Sequence, residues 1–242
     1  MWCPDETDIT ENYFYKRKVI VCQPKKGYRF SIDAPILADF LPFAPSQKAL
    51  EIGTGSGIVA LLALYQNKFA TIYGVEIQET LSHLASLNAK KNGYTENLTV
   101  ITRDFKEIYQ DFSGIHHIFA NPPYFETHRG HLSPNAEIRD AKSETRLTLK
   151  ELLRYTHAIL DRNGTLDLIL PYARYKETMD SAAKIGFSPT RLREVFSFKD
   201  GKPERFLVQL SSNTLSLEKL PPLIVFKEKG VYTEEMDKIL TG

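Results

Sequence analysis

The sequence contains few of the residues that build disulfide-rich, metal-bound or membrane proteins. It has 2 cysteines, 3 methionines and 1 tryptophan among 242 residues. Cys3 and Cys22 match no metal-ligand spacing and no disulfide framework, which favours a reducing compartment and predicts no metal site. No run approaches the roughly 18 apolar residues of a membrane span, and residues 1–18 lack the apolar core of a signal peptide. We therefore expect a cytoplasmic protein without a membrane partner.

The sequence also lacks an excess of charge of either sign. Its 31 Lys and Arg nearly balance its 30 Asp and Glu, which leaves a net charge of +1. This balance excludes a uniformly basic coat for nucleic acid, so any RNA site has to be a local patch. A chain of this length can form one large α/β domain with a substantial core.

Short β-branched apolar runs alternate with helix-like segments from about residue 47 onward. This alternation is typical of βα units around a parallel sheet. Two strand-like runs on either side of "KDGKPE" then predict a closing β-hairpin. The alternating segments are "KALEIG", "IVALLALYQ", "ATIYGVEI", "TLSHLASLNAKKNG", "LTVIT", "IHHIFA", "LKELLRYTHAILDRNG" and "TLDLILP".

The residues before this alternation predict a short extension of the same domain. Residues 13–32 are strand-rich, and "DAPILADFLPF" predicts a helix with Asp33 as its N-cap. We expect a single domain over residues 1–242. Its parts are an N-terminal strand and helix extension at 1–45, a catalytic core at 46–213 and a C-terminal tail at 214–242.

A glycine-rich turn, "EIGTGSG", joins a predicted strand to a predicted helix. Gly53, Gly55 and Gly57 permit a tight turn and let a ligand approach bare backbone, with Thr54 between them. The spacing differs from the G-x-G-x-x-G of dinucleotide sites, so a diphosphate ligand is disfavoured. Glu51 would repel phosphate but suits a ligand with an ammonium group. These features point to S-adenosylmethionine, and the alternative is a turn that is merely tight.

Two more acids end the next two predicted strands. Glu76 in "YGVEIQ", with Ile77 beside it, is placed to accept hydrogen bonds from both hydroxyls of a ribose. Asp104 in "VITRDF" is placed to meet an adenine amino group, and Phe105 to cover the adenine ring. The alternative is that these acids are ordinary N-caps of the following helices.

The run "IFANPPYF" is a predicted strand that two prolines interrupt. An amine with a delocalised lone pair becomes a better methyl acceptor when the protein accepts hydrogen bonds from its N–H groups. The Asn121 side-chain oxygen and the Pro122 carbonyl oxygen are candidates for those acceptors, and Asn121 also for a cofactor contact. Pro122 and Pro123 fix the backbone, and Tyr124 offers a ring on which a planar group can stack. The alternative is a proline turn that ends a strand.

Together "EIGTGSG", "VEIQ", "RDF" and "NPPY" resemble, in order and spacing, the class I S-adenosylmethionine-dependent amino-methyltransferases with an N-P-P-Y motif. The resemblance implies a Rossmann-like α/β fold. That fold has a mostly parallel seven-stranded sheet, a C-terminal antiparallel hairpin and a short N-terminal extension. Nearly the whole chain looks like the bacterial tRNA(Val) adenine-N6 methyltransferase family. The segments that carry this likeness are "GYRFSIDAPILADFL", "NPPYF", "PTRLREVFSFKDGKPERFLVQL" and "PPLIVFKEKGVYTEEMDKIL".

This likeness implies an enzyme that uses S-adenosylmethionine to methylate N6 of an adenine in the anticodon-arm loop of a tRNA. We expect it to act as a monomer. Three alternatives stay open: guanine-N2 methylation of ribosomal RNA, glutamine-N5 methylation of a peptide release factor, and a non-enzymatic subunit that holds RNA or a protein. The loop at 126–147 matches the family only loosely.

Basic side chains in three places are candidate RNA contacts, and for each a merely solvated charge is an equal alternative. His116 and His117 are assigned to the strand pattern, whereas His128 and His131 have no metal-like partners. The basic candidates are Lys16, Arg17, Lys18, Lys25, Lys26, Arg29, Arg129, Arg139 and Arg146.

Overall fold

The structure, a computed structural model, describes residues 9–25, 31–122, 147–213 and 215–242. Its strands are β1 Ile9–Phe14, β2 Val19–Pro24, β3 Ala44–Ile52, β4 Phe69–Glu76, β5 Leu98–Thr102, β6 Ile115–Ala120, β7 Leu160–Pro171, β8 Ser188–Phe196, β9 Pro203–Ser211, β10 Glu218–Lys219, β11 Leu223–Ile224, β12 Phe226–Glu228 and β13 Val231–Tyr232. Its α-helices are α1 Asp33–Phe40, α2 Ile58–Tyr65, α3 Glu79–Lys91, α4 Phe105–Ile108, α5 Leu149–Ile159, α6 Tyr175–Ile185 and α7 Glu234–Thr241.

One large sheet organises the described residues. Its order is β10, β8, β9, β7, β6, β3, β4, β5, and β11 also pairs with β8. Strands β3 to β7 are parallel, while β9 runs antiparallel to both β7 and β8. The seven long strands confirm the predicted parallel sheet with a closing hairpin. The two-residue strands β10 and β11 extend its β8 edge.

Helices cover both faces of this sheet with apolar side chains. On one face, Phe119 of β6 packs in a cluster with Leu37 of α1 and Leu61 of α2. On the other face, Ile118 packs in a cluster with Leu153 of α5. Because both faces of the central strands are buried, those strands are nearly continuous apolar runs. Such runs are the pattern from which the sequence predicts them as strands.

The N-terminal hairpin of β1 and β2 is a separate two-stranded sheet that side chains of α3 hold in place. Asn88 accepts from the Cys22 amide (2.7 Å) and donates to the Cys22 carbonyl (2.9 Å). Asn92, one turn later, accepts from the Ile20 amide (2.8 Å) and donates to the Ile20 carbonyl (2.7 Å). Asn88, which is fully buried, also donates to the Ser56 carbonyl (2.8 Å) and so links the hairpin to the glycine turn.

Two element boundaries differ from the sequence prediction. Helix α1 begins at Asp33, and its N-cap is Ile32 without a side-chain cap. The Asp33 carboxylate is instead 2% exposed and pairs with Arg205 of β9 at 2.9 Å. The helix predicted over "LKELLRYTHAILDRNG" ends at Ile159, because the next residue already pairs with β6 as part of β7.

The tail packs onto the rest of the fold through α7. Met236 and Ile239 are buried in the same apolar cluster as α1 and α2. None of the helices within the described ranges is long and apolar enough to cross a membrane. Cys22 is buried and free, and Cys3 lies outside the described residues. The division of the chain at residues 45 and 213 stays a prediction.

Candidate active site

The carboxyl ends of β3, β4, β5 and β6 meet at one edge of the sheet and border a cavity of about 210 Å³. This is the edge at which ligands of open α/β sheets bind. Glu51, Thr54 and Gly57 are the described site candidates that do not line the cavity. The candidates that do line it are Gly53, Gly55, Glu76, Ile77, Asp104, Phe105, Asn121 and Pro122.

The glycine turn adopts backbone angles that favour glycine at three positions. The φ angles are +72° at Gly53, +58° at Gly55 and +81° at Gly57. A Cβ atom at Gly57 would lie 3.2 Å from the Cβ of Ala85, whereas one at Gly53 would meet nothing within 4 Å. Gly57 therefore lets the turn pack closely on α3, and Gly53 leaves open space at the cavity.

Glu51 lies in β3 but does not line the cavity. The next residue, Ile52, does line it. Glu51 is 2% exposed and accepts a hydrogen bond from the Thr54 hydroxyl at 2.5 Å. Burial raises the pKa of Glu51 to about 8, although the Thr54 hydrogen bond opposes the rise. The structure therefore does not bring Glu51 into the cavity as the expected ammonium partner.

Glu76 lies at the end of β4 with its carboxylate in the cavity wall. Its two oxygens accept hydrogen bonds from the backbone amides of Gly55 and Gln78, both at 2.9 Å. Burial raises the pKa of Glu76, and the hydrogen bonds from Gln78 and Gly55 oppose the rise. A carboxylate has about four acceptor positions, so it can still receive ligand hydroxyls. Gln78, and not Glu76, is the N-cap residue of α3.

Asp104 combines the two roles that the sequence left open. Its carboxylate caps α4 by accepting from the Lys106 amide at 2.9 Å, and Asp104 also lines the cavity. Phe105 is 4% exposed and lines the cavity beside it. The Phe105 ring meets Tyr109 and Tyr155 edge-on, with centroid distances of 6.4 and 6.5 Å, which fixes its orientation.

Asn121 and Pro122 directly follow β6 and are both half-buried in the cavity wall. In the sheet, β3 lies between β6 and β4. The glycine turn therefore separates Asn121 on one side from Glu76 and Asp104 on the other. Pro123 and Tyr124 lie outside the described residues. Within the described ranges, no three His, Cys, Asp or Glu side chains come together as a possible metal site.

Known proteins match this chain to different extents along its length. A family profile for protein-L-isoaspartate(D-aspartate) O-methyltransferase matches residues 14–123. That stretch holds the glycine turn, Glu76 and Asp104, and it is less than half of the chain.

Curated relatives match nearly the whole chain. The tRNA1(Val) (adenine(37)-N6)-methyltransferase of Parabacteroides distasonis is 27% identical over 228 residues, which are 94% of this chain and 95% of the relative. The enzyme of the same name from Shewanella sediminis is 29% identical over 227 residues, 89% of this chain and 92% of the relative. These relatives confirm the resemblance that the motifs indicated.

Solved structures extend the likeness to the whole fold. A predicted O-methyltransferase from Agrobacterium tumefaciens aligns with a TM-score of 0.66 at 18% identity, over 85% of this chain and 94% of that chain. The chain has the class I methyltransferase fold. A geranyl diphosphate C-methyltransferase from Streptomyces coelicolor, in complex with S-adenosyl-L-homocysteine, aligns with a TM-score of 0.53 at 13% identity, over 75% and 78%. The names of these two neighbours describe methyl transfer to oxygen and to carbon. The fold therefore does not identify the methyl acceptor, which has to be inferred from the residues of the site.

Sequence reasoning missed three residues of the methyltransferase fold that shape this site. Arg174 follows β7, lines the cavity and pairs with Glu177 at 3.0 Å. Its position after a predicted strand end is the sequence feature that could have indicated a place in the site.

Gly74 lets Thr54 approach β4, because a Cβ there would lie 3.0 Å from that side chain. A glycine inside a predicted strand often marks such an approach. The role of Asn88 could not be predicted from the sequence, because its hydrogen-bond partners are distant along the chain.

The structure places the first group of basic RNA candidates at the far end of α2 from the glycine turn. Lys16, Arg17 and Lys18 form the turn between β1 and β2. The neighbouring Tyr15 ring stacks on Tyr65, the last residue of α2, with a centroid distance of 4.6 Å. An eight-residue helix spans about 12 Å. These three side chains are therefore not brought together with the cavity.

The remaining basic and histidine candidates add little to the site. His116 and His117 lie in β6, as predicted. Burial lowers the pKa of His117 to about 4, and its Nδ1 lies 3.1 Å from the Thr165 hydroxyl. Lys25 is exposed just after β2. The candidates outside the described residues are Lys26, Arg29, Arg129, Arg139, Arg146, His128 and His131.

Proposed function

We propose that this chain is an S-adenosylmethionine-dependent methyltransferase that methylates N6 of an adenine in a tRNA. One observation carries the proposal: a single cavity joins the glycine turn and Glu76 to Asn121 and Pro122. The curated relatives, which match nearly the whole chain, are named for this reaction on tRNA1(Val). They bear out the predicted enzyme class and the predicted tRNA substrate.

The residues in the cavity fit the cofactor. The Streptomyces neighbour holds S-adenosyl-L-homocysteine in the same fold, which bears out S-adenosylmethionine as the cofactor. When bound, S-adenosylmethionine supplies an electrophilic methyl group. In our proposal the Glu76 carboxylate accepts from the ribose hydroxyls, while Asp104 and Phe105 contact the adenine. Gly53 and Gly55 contribute open backbone.

Glu51 contributes from behind the cavity in this proposal. Its carboxyl group holds the Thr54 hydroxyl, and Thr54 packs against Gly74 beneath the glycine turn. Glu51 is therefore a positioning residue for the turn, as is Gly57 through its packing on α3. This role replaces the direct contact with a ligand ammonium group that the sequence suggested.

Asn121 and Pro122 act on the acceptor in this proposal. The Asn121 side-chain oxygen and the Pro122 carbonyl each accept a hydrogen bond from the exocyclic amine, which keeps the nitrogen lone pair free for the methyl group. Pro123 and Tyr124 complete the motif, with Tyr124 stacking on the base. No general base is required, because the methylated nitrogen can lose its proton to solvent. A base in a single-stranded loop reaches the site at an unstacking cost of a few kcal/mol at most.

Three coarser predictions remain part of the proposal. We propose a cytoplasmic location, because that is where tRNA is modified, and a monomeric state. We also propose that residues 1–242 act as one domain, with α7 packed beside α1 and α2.

Nucleoside mass spectrometry tests this function. The purified protein is incubated with S-adenosylmethionine and, separately, with unmodified tRNA, ribosomal RNA and a peptide release factor. We expect N6-methyladenosine in one tRNA, and we expect the same nucleoside to disappear from that tRNA in a deletion strain. N2-methylguanosine in ribosomal RNA, or methylglutamine in the release factor, would overturn the proposed acceptor. Transfer to none of the substrates would favour the non-enzymatic alternative.

A further inference from the structure

The turns that follow β8 and β11 lie at the same edge of the sheet as the cavity. Strand β8 runs parallel to β7, because both are antiparallel to β9, and β11 is parallel to β8. The Val225 amide donates to the Phe196 carbonyl at 2.8 Å, and the Phe226 amide to the Ser197 carbonyl at 2.9 Å. The two turns are therefore joined side by side at the cavity edge.

Three aromatic rings form a row on these turns. The centroids of Phe198 and Phe226 are 5.7 Å apart, and those of Phe226 and Tyr232 are 5.1 Å apart at an interplanar angle of 16°. The outer two rings are open to solvent, with Phe198 42% and Tyr232 37% exposed. Exposed rings that lie together in this way, unlike exposed rings that are scattered singly, are a feature of contact surfaces.

The row is held firmly by the segment that leads into α7. The Thr233 amide donates to the Val225 carbonyl at 3.0 Å, and its hydroxyl donates to the Ile224 carbonyl at 2.6 Å. The same hydroxyl oxygen caps α7 by accepting from the Met236 amide at 3.2 Å, and Met236 is fully buried. The rings are therefore presented on a fixed support and lose little freedom when a ligand covers them.

Exposed charged side chains of both signs flank the rings along the chain, with Asp200 and Glu228 among the lysines. Lys199, Lys202, Lys227 and Lys229 are all exposed, and Lys227 pairs with Glu234 at 3.5 Å. We call Phe198, Phe226 and Tyr232 with Lys199, Lys202 and Lys229 the tail platform. Exposed rings on which bases stack, next to cations that meet phosphates, are the combination by which proteins hold single-stranded nucleic acid.

We propose that the tail platform binds the substrate RNA several nucleotides away from the target nucleotide; this inference rests on the proposed function. Three strand spacings separate β6 from β8, and a fourth reaches β11. At about 4.8 Å each, these spacings place the platform roughly 14 to 19 Å from Asn121. That span equals about four to six stacked nucleotides at about 3.4 Å each. Arg174, which follows β7, lies on the same edge, in the part of the cavity wall that is nearer to the platform.

A second protein is a poorer occupant of this surface. Phe198, Val231 and Tyr232 are its large exposed apolar side chains, at 42%, 45% and 37%. They offer roughly 250 Å² of apolar area, whereas a stable protein interface needs about 800 Å² from each partner. Base stacking needs only part of one ring, which the exposed fractions of Phe198 and Tyr232 can supply.

The test measures RNA binding apart from methyl transfer. Two variants are compared with the wild type: Phe198→Ala with Tyr232→Ala, and Lys199→Glu with Lys229→Glu. The probe is an unmodified tRNA(Val) transcript, and binding is followed by fluorescence anisotropy at several salt concentrations. We expect the ring variant to raise the RNA Kd by at least roughly 5-fold, as for loss of one stacked base. We expect the lysine variant to reduce the salt slope by about 0.7 for each lost phosphate contact.

Controls separate this inference from the proposed function. Phe43→Ala with Lys48→Glu removes an exposed ring and lysine near the opposite edge of the sheet, and it should leave the RNA Kd unchanged. The Kd for S-adenosylmethionine should stay at the wild-type value in every variant. Because the lysine variant removes no packing, it keeps the test valid if the ring variant unfolds.

The outcomes are distinguishable. An unchanged RNA Kd and salt slope in both platform variants, with tRNA methylation intact in the wild type, would overturn the platform and leave the function standing. If the wild type methylates no tRNA, but the platform variants bind RNA more weakly than the wild type does, the result supports the platform and refutes the proposed function. A wild-type dimer that the ring variant dissociates, with unchanged RNA affinity, would assign the surface to a second copy and overturn the proposal.

Discussion

The two halves of the sheet hold their polar groups in different ways. In the cofactor half, which is β3 to β5 with α2 and α3, internal hydrogen bonds orient Glu76 and Asn88. In the acceptor half, which is β6 to β9 and β11 with the tail, Phe198 and Tyr232 face solvent. The polar groups of the cofactor half are thus preorganised for a small molecule, whereas the acceptor half presents exposed rings that a larger partner can cover.

Two of the sequence comparisons differ in how much of the acceptor half they include. The O-methyltransferase profile ends at residue 123, just after the cofactor half and β6. The tRNA1(Val) relatives continue through the acceptor half to cover 94% of the chain in one case. The sequence likeness to the tRNA1(Val) relatives therefore includes β7 to β9 and the tail, which the profile does not match. Variants should affect cofactor binding or acceptor chemistry separately, according to the half in which they lie.

The largest expected effect separates chemistry from cofactor binding. Asn121→Ala removes the side-chain acceptor for the exocyclic amine, so we expect kcat for tRNA methylation to fall at least roughly 100-fold. The Kd for S-adenosylmethionine, measured by calorimetry, should change less than about 3-fold. Normal turnover in this variant would remove Asn121 from the reaction.

A variant in the cofactor half should give the reverse result. Glu76→Gln replaces a carboxylate that is expected to accept from ribose hydroxyls, and a charge-assisted hydrogen bond contributes about 1.5–3 kcal/mol. We expect the Kd for S-adenosylmethionine to rise roughly 10- to 100-fold, with the RNA Kd unchanged. Glu79→Gln, an exposed acid in the first turn of α3, is the matched control. Equal calorimetric constants for Glu76→Gln and the wild type would exclude the ribose role.

Two glycine variants test how tightly the cofactor half is packed. Gly53→Ala and Gly57→Ala both force alanine into the left-handed region, at about 1–2 kcal/mol each. Only Gly57→Ala also presses its Cβ to 3.2 Å from Ala85, so we expect it to lower the free energy of unfolding by about 1 kcal/mol more. Urea unfolding of the two variants measures the difference. Equal losses would show that α3 shifts freely away from the turn.

A pH-dependent effect is expected inside the acceptor half, at Asp167 of β7. Burial raises the pKa of Asp167 to about 7, although its hydrogen bonds from Gln209 and Thr165 oppose the rise. The unfolded value is near 3.9, so the folded state binds the proton more tightly. The contribution of Asp167 to stability is therefore greatest below about pH 4 and is lost as the pH rises through about 7.

Asp167→Asn should flatten this pH dependence. The variant amide can still accept from Gln209 and can donate to the Thr165 hydroxyl, as the protonated acid does. We expect the difference in the free energy of unfolding between variant and wild type to change by about 1–3 kcal/mol from pH 4 to pH 7. His117 has a lowered pKa, so its contribution to the free energy of unfolding falls as the pH falls. This contribution is the same in variant and wild type, so it cancels when their free energies of unfolding are subtracted. A difference that does not vary with pH would mean that Asp167 is ionised in the folded protein.

The strand ends were predictable from the sequence because parallel strands deliver their carboxyl ends to one edge. By this rule the sequence alone predicts that Gly53, Glu76 and Asn121 lie at one edge of the sheet. It could not tell that Glu51 is buried against Thr54 and does not line the cavity, since a strand buried on both faces shows no alternation of polarity. Asp33 resembled an N-cap for a similar reason: its partner, Arg205, is 172 residues later in the chain.

The tail platform is also not predictable from the sequence, although the tail is one of the segments that carry the family likeness. Its rings come from segments about 30 residues apart that meet only because β11 pairs with β8. Arg174 likewise gains its place from the order of β6 and β7. Contacts of this kind depend on strand pairing across the fold, which local patterns do not specify.

The asparagine pair on α3 makes the N-terminal hairpin a reporter of the glycine turn. The amide hydrogens of Cys22 and Ile20 are held by side chains, so they exchange with solvent when α3 and β2 part, without any opening of the main sheet. Asn88 alone also holds the Ser56 carbonyl. Binding of the cofactor in the cavity should therefore slow deuterium uptake at Cys22 more than at Ile20. The hairpin would then report cofactor binding without contacting the cofactor.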